Sequence, residues 1–294
     1  MTHTALPALR RSLARLEREG PARARDVFSL GLPEVDQTLG GGLSRGALHE
    51  VYALGGPDVA AATGFAIAMA LRAAPVPATP GLAIPGPIVW ARQDYVDMEA
   101  GRLHAPGLAE LGLDPDRVIV VQAPDALGVL RAGAEALRCS ALGAVLIEPW
   151  GETSAIDLVA TRRLSLAAGD SGVPALMVRL AANPKPSAAA TRWAVRSLPS
   201  QALEAGAPGL PAFAITLLRN RAGSAGHEWR VEWNRDERCF RNRQREQEPG
   251  RARPALPRPV GAVSANRPGA RPDWPASALT DPALAEQTRW RDAG

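Results

Sequence analysis

Between about residues 27 and 233 the chain alternates short apolar runs with alanine-rich stretches of helical length, and this alternation constrains the fold more than any other feature. Residues 47–53, 87–91, 117–122, 144–148, 174–180, 213–219 and 228–233 are apolar runs of strand length. Residues 60–73, 125–138 and 154–168 are predicted helices, with Asp125 placed to cap the second of them. Strands that read as nearly continuous apolar runs are buried on both faces, which in turn requires helices on both sides of a sheet. The expectation is therefore an α/β fold: βαβ units building a mostly parallel sheet flanked by helices. The last two strands, joined by RAGSAGH (221–227), read as an antiparallel hairpin at the sheet edge.

Outside that span the pattern changes. Residues 5–19 carry Leu6, Leu9, Leu13 and Leu16 at helical spacing, which predicts a short N-terminal amphipathic helix, marginal alone and in need of something to dock on. Residues 74–87 form a proline-rich loop, and residues 181–192 a second irregular loop holding Lys185, the only lysine of the chain. Beyond about residue 244, prolines and arginines crowd out aliphatic residues. From Arg241 to the end there are ten arginines and six acidic residues, a surplus equal to the net charge of +4 for the whole chain. Such a tail cannot bury enough apolar surface to offset its ordering entropy, so it is expected to be disordered, with only 282–291 suited to a helical turn or two. The resulting division is 1–24 (helix and linker), 25–243 (α/β domain) and 244–294 (Pro/Arg-rich tail).

Several classes of protein are disfavoured. Cys139 and Cys239 stand apart, with no CxxC pair or histidine cluster, which argues against a disulfide framework and against a structural zinc. No secretory leader is recognisable at the N-terminus, and no apolar run reaches the length of a membrane span. A cytoplasmic protein without membrane contact is expected.

The decisive stretch is FSLGLPEVDQTLGGGLSRGALHEVY (28–52), a helix ending in glycines that leads into the first long strand. The eight residues beginning at Gly56 then stand where a phosphate-binding loop, GxxxxGK[ST], would follow: Gly56, Pro57, Asp58, Val59, Ala60, Ala61, Ala62 and Thr63. Gly56 and Thr63 keep the frame. Ala61 replaces the glycine that lets the backbone wrap phosphate, and Ala62 replaces the lysine that reaches the β- and γ-phosphates. A charge-assisted contact of that kind is worth roughly 1.5–3 kcal/mol. Losing such a contact from a transition state slows reaction on the order of 100- to 1000-fold. The second strand runs into Arg92 and Gln93 at the place of a water-orienting glutamate, and neither side chain can act as that base. Glu148, at the end of the strand 144–148, is the remnant of the carboxylate that would hold a magnesium water shell. With loop glycine, lysine and base all replaced, no catalytic residue and no cofactor is expected. Weak nucleotide binding stays open.

Taken together the sequence resembles the ImuA family of RecA-like bacterial mutagenesis proteins. The resemblance rests on SLGLPEVDQTLGGGLSRGALHEVY (29–52), ATGFA (62–66), IVWARQD (88–94), LHAPGLAELGLDPDRVIVV (103–121), VLIEPWG (145–151), RWAVRSLPS (192–200) and the TLLRNR…WRVEW segment (216–233), and covers roughly residues 25–243. It implies a RecA-like fold and a role in DNA-damage-induced (SOS), error-prone translesion synthesis. The implied partners are ImuB, a catalytically inactive Y-family polymerase relative, and a DnaE-type polymerase, with RecA and single-stranded DNA as further candidates.

Candidate DNA contacts are Lys185 and Arg192 in the 181–192 loop and Arg219 and Arg221 at the hairpin turn; the alternative is ordinary solvated charge. Trp193 is the only aromatic residue near them that could serve as a stacking platform. In the tail, Trp274 and Trp290 are candidate anchors for a protein partner, against phosphate-backbone binding by its arginines or an inert tail. Two other functions compete with the adaptor reading: a SulA-like cell-division inhibitor, and a DNA-stimulated RecA/RadA-type ATPase.

Overall fold

The computed structural model describes residues 26–74, 86–204 and 207–243. The chain divides into two units, Met1–Gln244 and Arg245–Gly294, and the described residues all belong to the first. The predicted helix at 5–19, most of the 74–87 loop and the tail with Trp274 and Trp290 lie outside the described residues.

The chain enters through a small lobe. Strand β1 (Val27–Phe28) pairs antiparallel with β2 (Leu43–Ser44), and helix α1 (Pro33–Thr38) lies between them. Asp36 ties the lobe together, accepting from the Ser29 hydroxyl (2.6 Å) and the Leu30 amide (2.8 Å). The glycine run ending α1 is required sterically at Gly42, whose φ is +143° and where a Cβ would sit 2.4 Å from the Phe28 carbonyl oxygen.

Strand β3 (Leu48–Ala53), helix α2 (Val59–Ala73), β4 (Ile88–Gln93), α3 (Asp94–Glu99), α4 (Ala105–Glu110), β5 (Val118–Ala123), α5 (Ala126–Ala136), β6 (Ala144–Glu148), α6 (Leu158–Ser171), β7 (Ala175–Arg179), β8 (Thr191–Leu198), β9 (Ala212–Asn220), β10 (Glu228–Asn234) and β11 (Cys239–Asn242) follow. They build one nine-stranded sheet in the order β11-β10-β9-β8-β3-β7-β6-β4-β5. The six strands from β8 to β5 are parallel, and β9, β10 and β11 extend the sheet antiparallel. This is the mostly parallel, helix-flanked frame that the alternation of runs implies.

Two apolar layers clamp the sheet. On one face α2 packs through Phe65, Ala66, Met69 and Ala70 against Val51, Trp193, Phe213 and Phe240. On the other, α5 and α6 cover Leu48, Val145, Ile147 and Met177 through Val129, Leu130 and Leu164. Alanine dominates α2 because its backbone lies close to the sheet, and ten of its residues are buried. Both cappings of the second layer are aspartates. Asp125 accepts from Gly128 N (2.7 Å) and Asp157 accepts from Ala160 N (2.7 Å). The expected start of α6 at residue 154 is corrected to Leu158, because the Asp157 cap, three residues further on, is the one that closes.

A larger correction concerns 181–192. The loop ends at Ala190, and Thr191–Leu198 is a full strand between β3 and β9. The expected edge hairpin is present as β9–β10, but β11 pairs with β10 and forms the true edge.

His49 shows how polar groups are accommodated in this sheet. It is buried, its Nε2–H donates to the Ser44 carbonyl (2.8 Å), and the Thr191 hydroxyl donates to its Nδ1 (2.8 Å). Thr191 in turn accepts from the Trp193 indole N–H (2.9 Å), so the chain of bonds assigns the neutral tautomer. Burial lowers the His49 pKa from 6.5 to about 4, the Ser44 bond opposing it. The unfolded chain therefore binds a proton that the folded chain refuses. Stability is fully present above pH 6.5, falls as pH drops toward 4, and levels off below, a loss of about 3 kcal/mol. Urea midpoints measured from pH 7.5 to 4 should show this fall, and His49→Gln should flatten it.

Candidate functional site

The loop after β3 does not form an open cradle. Gly56–Asp58 makes a single 3₁₀ turn and α2 begins at Val59, so the last five residues of the eight-residue frame, Val59 to Thr63, are already wound into helix. Pro57 stands at the start of that turn. Asp58 points to β8, where its Oδ1 accepts from the Ser197 amide (2.9 Å) and hydroxyl (3.1 Å). Ala61 and Ala62 are both buried in the α2 core layer. A phosphate loop works by presenting a run of backbone N–H groups around the anion with lysine above it. Here the frame is wound into helix from Val59 onward, and no cation is supplied at position 62.

Glu148 ends β6 fully buried, beside Arg92 on the neighbouring β4. Its Oε1 accepts from the Thr63 hydroxyl (3.0 Å). Its Oε2 accepts from the Trp90 indole N–H (2.9 Å) and Arg92 Nε (2.8 Å). Arg92 is itself buried, with Nη2 donating to the Gly101 carbonyl (3.0 Å) and Nη1 paired with Asp97. Asp97 also accepts from Gln122 (2.8 Å). Both oxygens of the carboxylate are thus occupied and its charge is met inside the fold. Gln93 accepts from the Trp150 amide (3.0 Å) and so braces the turn after β6. These side chains do not fit a nucleotide-bound magnesium ion, which would need the Glu148 carboxylate free. Arg92 entered the sequence reasoning only as a missing base. Its role as the partner of Glu148 is a non-local pairing that local patterns do not carry.

A cavity of about 220 Å³ lies over the strand ends, walled by Tyr52, Gly55, Gly56, Trp150, Ala181 and Asn183. That is below the roughly 300–1,000 Å³ of ordinary small-molecule sites.

The basic candidates separate. Lys185, Arg219 and Arg221 gather round residues 181–190. Lys185 is ion-paired with Glu152, Arg219 donates to the Ser187 carbonyl (2.8 Å), and the exposed Arg221 donates to the Ala188 carbonyl (3.3 Å). The Lys185 ammonium and the Asn183 amide pull the Glu152 pKa down to about 2. Arg192 is corrected: it lies within β8, buried, with Nε on Glu50 (2.9 Å) and Nη2 on Ser187 (2.8 Å) and the Lys185 carbonyl, so it is not presented to a DNA strand. Trp193 is also corrected, because it is a core residue whose ring lies 5.8 Å from Phe65 and 6.2 Å from Trp229, and it offers no stacking platform.

Among the described residues no cluster of His, Cys, Asp and Glu could hold a metal ion, and no helix is long and apolar enough to cross a membrane. Cys139 and Cys239 are free thiols. The groups that the sequence reading missed are Glu50 and Arg179, charges inside runs that otherwise read as apolar strand; a buried charge in such a run is itself the signal.

No family model and no curated protein matches the chain. Among solved structures, the chain is similar to the crystal structure of the RadB recombinase, with 15% sequence identity and a TM-score of 0.48 over 74% of this chain and 100% of that one.

Proposed function

We propose that the chain is a non-hydrolysing RecA-like accessory protein that acts as an adaptor in DNA-damage-induced, error-prone translesion synthesis, in company with an ImuB-like inactive Y-family polymerase and a DnaE-type polymerase. The observation that carries the non-hydrolysing part is the burial of Glu148 against Arg92 and Trp90. A carboxylate that neutralises an internal arginine is not free to hold a metal–water shell. The partner assignment is supported by the segments that resemble the ImuA family and by the Trp274 and Trp290 positions in the arginine-rich tail.

ATP turnover, measured with and without single-stranded DNA, should not rise above background. Sustained hydrolysis that Thr63→Ala abolishes would overturn the reading. Deleting residues 245–294 should weaken capture of an ImuB homologue while leaving the melting temperature of the remaining domain unchanged. Full retention of affinity would reject the tail as the contact, and recovery of a cell-division protein in place of the polymerase relative would favour a division inhibitor. The ATPase alternative keeps one observation in its favour, the 3.0 Å approach of Thr63 to Glu148, which preserves the pair that flanks the metal in an active site.

A further inference from the structure

Strands β3, β7 and β8 hold, at neighbouring register positions, a cluster of charges that does not balance. The strands lie side by side, and their register sets Tyr52 beside Arg179 and Glu50 beside Arg192. Residues 50 and 52 share one face of β3, so the four side chains emerge together, on the face opposite α2. Both guanidinium groups sit over the Tyr52 ring, Arg179 at 5.6 Å and Arg192 at 5.8 Å from its centroid. Exposure is 0% for Glu50, 1% for Tyr52, 3% for Arg179 and 9% for Arg192.

Arg192 has its carboxylate in Glu50. Arg179 has none. Apart from the Tyr52 ring it meets no partner among the described residues, and its Nε is sealed from solvent without an acceptor. Two guanidinium groups thus face one carboxylate. Arginine cannot escape by losing its proton. Tyr52 cannot become the missing anion either, since burial, reinforced by Glu50, pushes its pKa up. Its hydroxyl lies near the Lys185 carbonyl yet completes no hydrogen bond of ordinary geometry, and Glu50 Oε1 also lacks a donor. A buried charge without a counter-charge is strongly disfavoured, so the counter-charge comes from outside these residues.

Tyr52 is also a wall of the 220 Å³ cavity, which opens beyond the ends of the parallel strands, the general place for ligands in open α/β sheets. Its volume is too small for a nucleotide and sufficient for one phosphate-sized group. The guanidinium fork matches such an oxyanion in two-pronged fashion.

We infer that Arg179, stacked on Tyr52, is the centre of a binding site for a single small oxyanion of the phosphate class, adjoining this cavity across the Tyr52 ring, with Gly55 and Gly56 of the altered phosphate loop on the cavity's far wall. The oxyanion is either free orthophosphate or one phosphodiester of a single strand. The site does not depend on the adaptor reading, because it is tested without partner or ATP.

The test is the melting temperature of the full chain in inorganic phosphate against chloride at matched ionic strength. Phosphate should raise it saturably in the wild type. Arg179→Met removes the unpaired charge and keeps the stem. It should melt higher than wild type in chloride, and its phosphate midpoint should move at least ten-fold to higher concentration. Arg179→Gln serves the same reading should the methionine variant not fold. A wild type with no saturable phosphate effect, or a neutral variant with the wild-type midpoint, overturns the site. A labelled single-stranded oligonucleotide then identifies the source. Displacement by orthophosphate, with weakening in Arg179→Met, assigns a phosphodiester; phosphate binding that leaves oligonucleotide binding untouched assigns the free anion.

Discussion

Glu148→Ala should lower the unfolding free energy by about 3–5 kcal/mol, the range for breaking a buried ion pair by removing one partner. For a folded unit of this size that corresponds to a fall in melting temperature of roughly 10 °C. The reason is what the carboxylate leaves behind. Arg92, buried, loses the acceptor of its Nε; the Trp90 indole N–H, fully inside the core, is left without one; the Thr63 hydroxyl loses its acceptor. Asp97 and the Gly101 carbonyl still hold the far end of Arg92, which keeps the loss from being larger. Denaturant unfolding followed by tryptophan fluorescence reads the effect directly. A double-mutant cycle with Arg92→Met isolates the pair, and the coupling should fall between about 0.5 and 3 kcal/mol. A loss below about 1 kcal/mol would mean that Glu148 is in practice a solvated carboxylate, free for a metal, and the non-hydrolysing reading would lose its main support.

The parallel layers were legible in the sequence because strands buried on both faces cannot be polar. Residues 144–148 and 174–180 announce themselves as apolar runs, and every residue of β6 and β7 is buried. The Asp125 cap was legible for a different reason: an aspartate directly before a periodic run has few other local uses. Strand β8 was hidden. Trp193 and Val195 point into the α2 layer, but the run is interrupted by Arg192, whose burial depends on Glu50, a residue 142 positions earlier. The start of α6 was misplaced because Thr153 and Ser154 have the same capping chemistry as Asp157, and only tertiary packing selects among them. At the candidate site the loss of glycine and lysine was visible residue by residue. The neutralisation of Glu148 by Arg92 was not, since it is created by the adjacency of β4 and β6 in the sheet.

Glu50→Leu should be at least as costly, at the upper end of the range for an orphaned buried charge, about 5 kcal/mol. Arg92 would keep Asp97 if Glu148 were lost; Arg192 would keep only the neutral Ser187 hydroxyl and Lys185 carbonyl. The substitution also leaves two guanidinium groups over one phenol ring with no carboxylate between them. Their repulsion is little damped by solvent, since Arg179 is only 3% and Arg192 9% exposed. Adding Arg192→Met to Glu50→Leu should recover most of the loss, since an apolar replacement of a buried pair is commonly neutral or stabilising. Urea midpoints of the two single variants and the double variant make this comparison. A single-variant loss under about 2 kcal/mol, or a double variant no more stable than Glu50→Leu, would show that the cluster is not held by charge. Because Glu50→Leu doubles the uncompensated charge beside Tyr52, phosphate should raise its melting temperature by more than it raises that of the wild type.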